Sequence, residues 1–247
     1  MTDDPLVSCL CVTHRRVPML RRAVDCFLRQ HHGRRELIVL HEDTDTETRD
    51  FLAQLASPDI RSIVVPATPH LRLGTKRNLL VRAARGKYIA NWDDDDWSSP
   101  DRLAQQLRAV QESRLPACAI QFEVIFDELE QRAYLSAGNT WENSIFCERA
   151  VMPPYADLDV AEDVPVVKQL IAGRQLVSLA SPHLYVYVYH GRNTGPAVHF
   201  DNNVFGHATH LTPACSQRVA RVLASPDAAP LTLEEILSGR VRRNAAA

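Results

Sequence analysis

The chain has 247 residues, 28 Lys or Arg against 30 Asp or Glu, and a formal net charge of −2. With 45% hydrophobic residues, it has an ordinary soluble globular composition, which excludes disorder as the main state and allows one α/β domain with a sizeable core. A balanced charge lacks the basic face that a dedicated nucleic-acid binder needs, so no nucleic-acid partner is expected.

Leu6 to Val12 is a short apolar run that suits a buried strand ending in the polar loop Thr13 to Arg16. Pro18 opens a helix in which Leu20, Val24, Phe27 and Leu28 recur at helical spacing, and Gly33 ends it. Glu36 to Leu40 reads as a second strand, His41 to Asp45 as an acidic loop, Glu47 to Leu55 as a helix and Ile60 to Val65 as a third strand. Gly74 precedes a helix carrying Leu79, Leu80, Ala83 and Ala84; Gly86 stops it, and Tyr88 to Trp92 is a fourth strand before a helix from Pro100 to about Glu112. This β-α alternation predicts an α/β fold with a mixed, mainly parallel sheet flanked by helices and ligand groups at the carboxyl ends of its strands.

Near Leu115 the texture changes and a smaller second lobe is expected. Cys118 to Phe126 and Arg132 to Ser136 read as a hairpin, Ile145 to Cys147 as a short strand and Val164 to Ala172 as a helix. Gln175 to Tyr189 reads as one long strand whose Tyr185, Tyr187 and Tyr189 form a packed face; Gly191 to Pro213 is loop, and Leu231 to Leu237 a small helix before an Arg-rich tail. The six cysteines form no CxxC pair and look like reduced core residues. With no signal-peptide pattern and no apolar stretch of about 18 residues, an uncleaved, cytoplasmic protein is expected.

Four adjacent carboxylates, Asp93 to Asp96, follow the fourth strand between Trp92 and Trp97. On an extended segment Asp93 and Asp95 would share a side about 7 Å apart, at a cost of roughly 2 kcal/mol that a divalent cation would reverse. Hard oxygen ligands suit Mg²⁺ or Mn²⁺ completed by phosphate oxygens and water; the alternative is a hydrated acidic turn. Upstream, Gly74-Thr75-Lys76-Arg77-Asn78 puts two cations at a helix start, which suits a diphosphate, although such charges are commonly just solvated. Glu162-Asp163 precedes a helix, where an acid is usually a cap but could take a proton from an attacking hydroxyl. His190 ends the long strand and could ligate a metal or touch a phosphate, whereas His199, His207 and His210 reflect loop composition. No GxGxxG, GxxxxGK, GxSxG or HExxH occurs, which sets aside dinucleotide-binding enzymes, P-loop NTPases, α/β-hydrolases and zincins.

In order, PLVSCLCVTHRR, ELIVLHEDTDTET, LGTKRNLLVRAARGKYIANWDDDDW and DVAEDVPVV resemble the successive motifs of glycosyltransferase family 2, inverting enzymes of GT-A fold, over about residues 5 to 195. The resemblance implies a nucleotide-sugar-binding half at 1–114, an acceptor-binding half of the same domain at 115–200, and a C-terminal loop and tail at 201–247. It implies nucleotide contacts from Thr13, Arg16, Lys76 and Arg77, with Glu42 at the base. Asp93 would touch ribose and Asp94 the sugar; Asp95, with Asp93 and His190, would hold Mn²⁺ or Mg²⁺. Asp163, rather than Glu162, would be the acceptor base. The family commonly has Asn in place of Arg15, and Asp-Asp-Gly-Ser where this chain has His41-Glu42-Asp43-Thr44, which implies a longer acid and an imidazole at the base pocket. The expected reaction moves a sugar from a nucleoside diphosphate sugar, a UDP-sugar first, to a saccharide, lipid-linked or other hydroxyl acceptor, at the cytoplasmic face. Arg240, Arg242 and Arg243 leave peripheral membrane contact open. A metal-dependent nucleotidyltransferase and a non-catalytic nucleotide-sugar-binding module are the alternatives.

Overall fold

The computed structural model describes residues 4–195 and 200–241. Its first half alternates strand and helix: β1 (Val7–Val12), α1 (Val17–Leu28), β2 (Arg35–Glu42), α2 (Thr46–Leu55), β3 (Ile60–Val65), α3 (Leu73–Ala83), β4 (Tyr88–Asn91), β5 (Trp97–Ser98) and α4 (Arg102–Ser113). There follow β6 (Ala117–Ile120), β7 (Val124–Asp127), β8 (Arg132–Leu135), β9 (Phe146–Glu148), α5 (Val164–Ala172), β10 (Leu176–Leu179), β11 (Tyr185–Tyr189), β12 (Thr209–His210), α6 (Pro213–Ala224) and α7 (Leu233–Ser238).

Seven strands form the main sheet in the order β10-β6-β9-β4-β1-β2-β3, parallel except at β9, which runs antiparallel to both neighbours. The alternation of β1 shows why both faces are covered: Val7, Cys9 and Cys11 pack with Leu20, Val24 and Phe27 of α1, whereas Leu10 belongs to the opposite core with Leu80 of α3 and Val166 and Leu170 of α5. A second sheet, β12-β8-β7-β11-β5, lies beside it. The six cysteines are reduced and buried, Cys9, Cys11 and Cys26 within the first core.

Three expectations need correction. Gln175 to Tyr189 is two strands in different sheets: β10 pairs with β6, and β11, after the turn at Ser181-Pro182, pairs with β7 and β5. Cys118 to Phe126 is split likewise between β6 and β7, so the hairpin is β7–β8. Residues 213–224, for which the sequence suggested no element, form α6, whose start is capped by the Thr212 hydroxyl accepting from Cys215 N with Pro at the first turn.

A buried polar junction locks the first three strands and the β4 entry together. Glu36 accepts from Ser8 Oγ at 2.6 Å, Arg61 Nε at 2.9 Å and the Arg85 amide at 2.8 Å, and Ser8 Oγ accepts from Gly86 N at 2.9 Å. Gly86 leaves no room for a Cβ, which would meet Leu6 O and Tyr88 O at 2.7 Å. Burial pushes the Glu36 carboxyl up, but these hydrogen bonds and the Arg61 charge outweigh it and hold it below the ordinary value. Its contribution is therefore present above the unfolded carboxylate value and fades as pH falls below it. Glu36→Gln is expected to cost about 2 kcal/mol at pH 7, a melting temperature lower by roughly 4–8 °C. The difference should shrink on acidification towards pH 4; an equal melting temperature at pH 7 would show the junction to be dispensable.

Candidate active site

The carboxyl ends of β1, β2 and β4 open onto a cavity of about 910 Å³, closed on the far side by the 139–143 and 159–164 segments and by Tyr187, Phe200 and Val204. Thr13, Arg16, Glu42, Lys76, Arg77, Asp93, Asp94, Asp95, Glu162 and Asp163 all line it. His190 stands behind Asp95.

The acidic tetrad is not an alternating extended segment: the chain bends after β4 and sends the four carboxylates to four different sets of partners. Asp93 accepts from Arg77 Nη2 at 2.8 Å. Asp94, 2% exposed, accepts from Thr13 Oγ1 at 2.6 Å and pairs with Arg16 Nη2 at 3.2 Å; burial, then the Asp95 charge, push it up to about 7. Asp95 takes Arg16 Nη1 at 2.8 Å and His190 Nε2 at 3.1 Å on Oδ2, and these partners hold it below the ordinary value against its burial. Asp96 accepts from the Tyr185 hydroxyl at 2.6 Å and the Val188 amide at 2.8 Å, and so ties the segment to β11.

Two positions are fixed from below the loop. Arg22 of α1 donates to the Asp95 carbonyl and reaches Glu128 at 3.4 Å. Arg102, fully buried, donates to Asn91 O at 2.9 Å before the tetrad and to Ser98 Oγ at 2.9 Å after it. Sequence reasoning missed both, because an arginine in an amphipathic helix reads as a solvated charge.

At the β1 and β2 ends the cations are paired. Lys76 Nζ lies 2.8 Å from Glu42 Oε1, and that bond is the first cause holding Glu42 below its ordinary value. His14 approaches the other Glu42 oxygen at 3.4 Å. The imidazole expected at the base pocket from His41 is instead buried in the fold, its Nδ1 against Glu42 O; among the described residues His14 and His70 line the cavity. Arg15 has φ +51°, held by Asp45 accepting its amide at 2.6 Å. A left-handed residue there explains physically why Asn suits the position.

Glu162 and Asp163 part company. Glu162 is 2% exposed and accepts from Arg77 Nε at 2.7 Å. Asp163 occupies the cap position of α5 but its side chain makes no capping bond, nor does it accept a hydrogen bond from any described residue. Burial above all, reinforced by Glu162, Asp93 and Glu142 against the opposing Arg77, pushes it up to about 7.

Divalent-metal binding can be tested on these donors. The His190 ring accepts the Arg192 amide on Nδ1 at 3.2 Å, an arrangement that favours the tautomer with its proton on Nε2, facing Asp95 Oδ2 at 3.1 Å. His190 Nε2 thus lies against the carboxylate expected to hold the cation, and Asp93 is engaged by Arg77. Among the described residues no group of three or more His, Cys, Asp or Glu could hold a metal ion. One carboxylate, with an imidazole steadying it, fits a cation whose other ligands are diphosphate and water oxygens. Among the described residues no helix is long and apolar enough to cross a membrane. Of the residues singled out by sequence, His199, Arg242 and Arg243 lie outside those described.

This architecture is the GT-A fold. It matches S. aureus TarS 1-349 in complex with UDP-GlcNAc at a TM-score of 0.63, with 13% identity, over 93% of this chain and 69% of that one. It also matches the mannosyltransferase PcManGT from Pyrobaculum calidifontis in complex with GDP-Man and Mn²⁺ at 0.59, with 15% identity, over 92% of this chain and 67% of that one. Residues 8–158 match the profile of Glycosyl transferase family 2, and the chain belongs to that family. EpsH of Bacillus subtilis (strain 168), named as a glycosyltransferase, is 32% identical over 49% of this chain and 36% of its own length. TuaG of the same strain, named for teichuronic acid biosynthesis, is 30% identical over 48% of this chain and 46% of its own. The chain therefore spans about a third to a half of the length of these two relatives.

Proposed function

We propose that the protein transfers a sugar from a nucleoside diphosphate sugar, a UDP-sugar first, to a hydroxyl acceptor with inversion at the anomeric carbon. The carrying observation is the cavity itself: Arg16, Lys76 and Arg77 line it together with Asp163, a carboxylate that accepts no hydrogen bond from any described residue. Thr13, Arg16, Lys76 and Arg77 are assigned to the nucleotide diphosphate, Glu42 to the base, and Asp93 and Asp94 to the ribose and sugar side. Asp163 takes the acceptor proton as the acceptor oxygen bonds to the anomeric carbon; the bond from that carbon to the diphosphate oxygen breaks, and its electron pair leaves with the diphosphate. Asp95, steadied by His190 and Arg16, would hold Mn²⁺ or Mg²⁺, which when bound neutralises charge on the diphosphate. UDP and UDP-GlcNAc in the TarS structures and GDP-Man with Mn²⁺ in PcManGT support a nucleotide-sugar donor and a divalent cation.

A thermal-unfolding panel of UDP, GDP, CDP and dTDP, each with Mn²⁺, Mg²⁺ or chelator, tests this reading. Occupancy at about 100 times the dissociation constant adds roughly 2.7 kcal/mol, a rise of about 5–10 °C. The largest rise is expected with UDP and metal, and Asp95→Ala should remove the metal-dependent part. A rise with GDP alone would move the donor to a GDP-sugar, and none with any nucleotide would remove the proposal.

A further inference from the structure

Arg77 is a single cation shared by two loops. Its Nε holds Glu162 at 2.7 Å and its Nη2 holds Asp93 at 2.8 Å, and its guanidinium lies 5.8 Å from the centre of the Tyr155 ring. The segment carrying Glu162 is pinned to α3 by backbone as well: Gly74 N donates to Leu158 O at 2.9 Å, and Asn78 exchanges two hydrogen bonds with Tyr155. Within that segment the Ala156 amide closes on Glu162 O at 3.2 Å. Asp163, the next residue, takes no hydrogen bond from Arg77, whose Nε and Nη2 go to Glu162 and Asp93.

We propose that Glu162 is a positioning residue for Asp163: by accepting from Arg77 Nε it fixes the loop that carries Asp163 and holds the guanidinium in place beside it. This rests on Asp163 being the acceptor base, and it moves Glu162 out of the catalytic pair. The charges facing Asp163 are Arg77 from α3, Asp93 from the segment after β4, Glu142 from the short helix before β9, Glu162 from its own loop, and the Tyr155 hydroxyl. One cation against three carboxylates leaves Asp163 in a net negative, part-buried setting where it can accept a proton near neutrality. Were Glu162 absent, Arg77, the cation that acts most on Asp163, would have Nε free as well as Nη1 to turn towards it, and a base held in an ion pair with arginine is a poor base.

The test titrates Asp163 directly. The 247-residue chain labelled with ¹³C at aspartate carboxyls is followed from pH 4 to 9, the Asp163 resonance being the one lost in Asp163→Asn. The wild-type midpoint is expected at about 7, and that of Glu162→Gln roughly one pH unit lower. Glu162→Asp, too short to hold Arg77, should shift the midpoint in the same direction, which keeps the test open should the glutamine variant fold poorly. An unchanged midpoint in a folded variant overturns the proposal. Turnover, read as nucleoside diphosphate release from the donor that stabilises best, separates it from the functional reading. Glu162→Gln should lose kcat on the order of tenfold or more with donor KM nearly unchanged. Full activity in Asp163→Asn would remove the base assignment whatever the titration gives, and if Glu162→Gln were then inactive, Glu162 would be the base and both would fall.

Discussion

Asp163→Asn is expected to lower kcat by about 10³-fold, within the range that a positioned general base supplies, while leaving the dissociation constant for nucleoside diphosphate within about twofold. The residue sits at the start of α5 with its side chain uncommitted to the cap, so the substitution removes a proton acceptor and no structural bond. In the wild type, kcat/KM should rise with pH and level off above the Asp163 value of about 7. Below that value the carboxyl is protonated and each pH unit costs roughly tenfold in active enzyme. Stability should move the other way. A carboxyl whose folded value lies above its unfolded one favours folding when protonated, so ionised Asp163 costs stability above pH 7. Asp163→Asn should therefore melt later than wild type at pH 8, with the gain shrinking as pH falls from 7 towards 4. An inactive variant that also melts earlier and binds no nucleotide would mark Asp163 as structural.

The elements that place this residue differ in how far they can be read from sequence. β1 to β4 and α1 to α4 follow directly from short β-rich runs alternating with helical spacing, because each element buries one side against a continuous sheet and its pattern is local; β5, two residues in the second sheet, does not. The second half resists such reading. β6 and β7, or β10 and β11, are apolar runs joined by a few residues, and the partition between two sheets is decided by which partner strands arrive later in the chain. α6 had a legible start in Thr212-Pro213, masked by the loop-like composition before it.

At the site, the motifs were legible because polar clusters at strand ends have few other uses. Their pairings were not: Lys76 turns to Glu42, 34 positions away, and Arg77 to Glu162, 85 positions away. Such contacts are set by how loops meet, which no local spacing encodes. The tetrad is instructive. Read as a strand, it put Asp93 and Asp95 side by side; folded, it disperses four charges among Arg77, Arg16, His190, Thr13 and Tyr185. Mutual repulsion is relieved by separate partners before any cation is considered.

That dispersal requires the ends of the acidic segment to be held, and Arg102 holds them. Its guanidinium is fully buried, bonded to Asn91 O and Ser98 Oγ at 2.9 Å and to Gln106 Oε1 at 3.1 Å, with the Trp92 and Tyr185 rings 5.1 and 4.7 Å away. Arg102→Met fills much of the same space and removes a buried charge, which taken alone would be favourable. It also orphans the Asn91 carbonyl and the Gln106 oxygen, at about 1–3 kcal/mol each, and forfeits roughly 1–2 kcal/mol of cation–ring attraction. The losses dominate, and a net cost of about 3 kcal/mol should lower the melting temperature by roughly 6–12 °C. Arg102→Lys separates charge from shape: an ammonium keeps the charge but cannot span the acceptors on both sides of the segment. It is expected to melt within a few degrees of the methionine variant and, in folded protein, to weaken nucleotide binding because Asp94 and Asp95 lose their fixed relation to Arg16. Wild-type melting in Arg102→Lys would show that the buried charge, and not the fork joining Asn91 to Ser98, is what the fold uses.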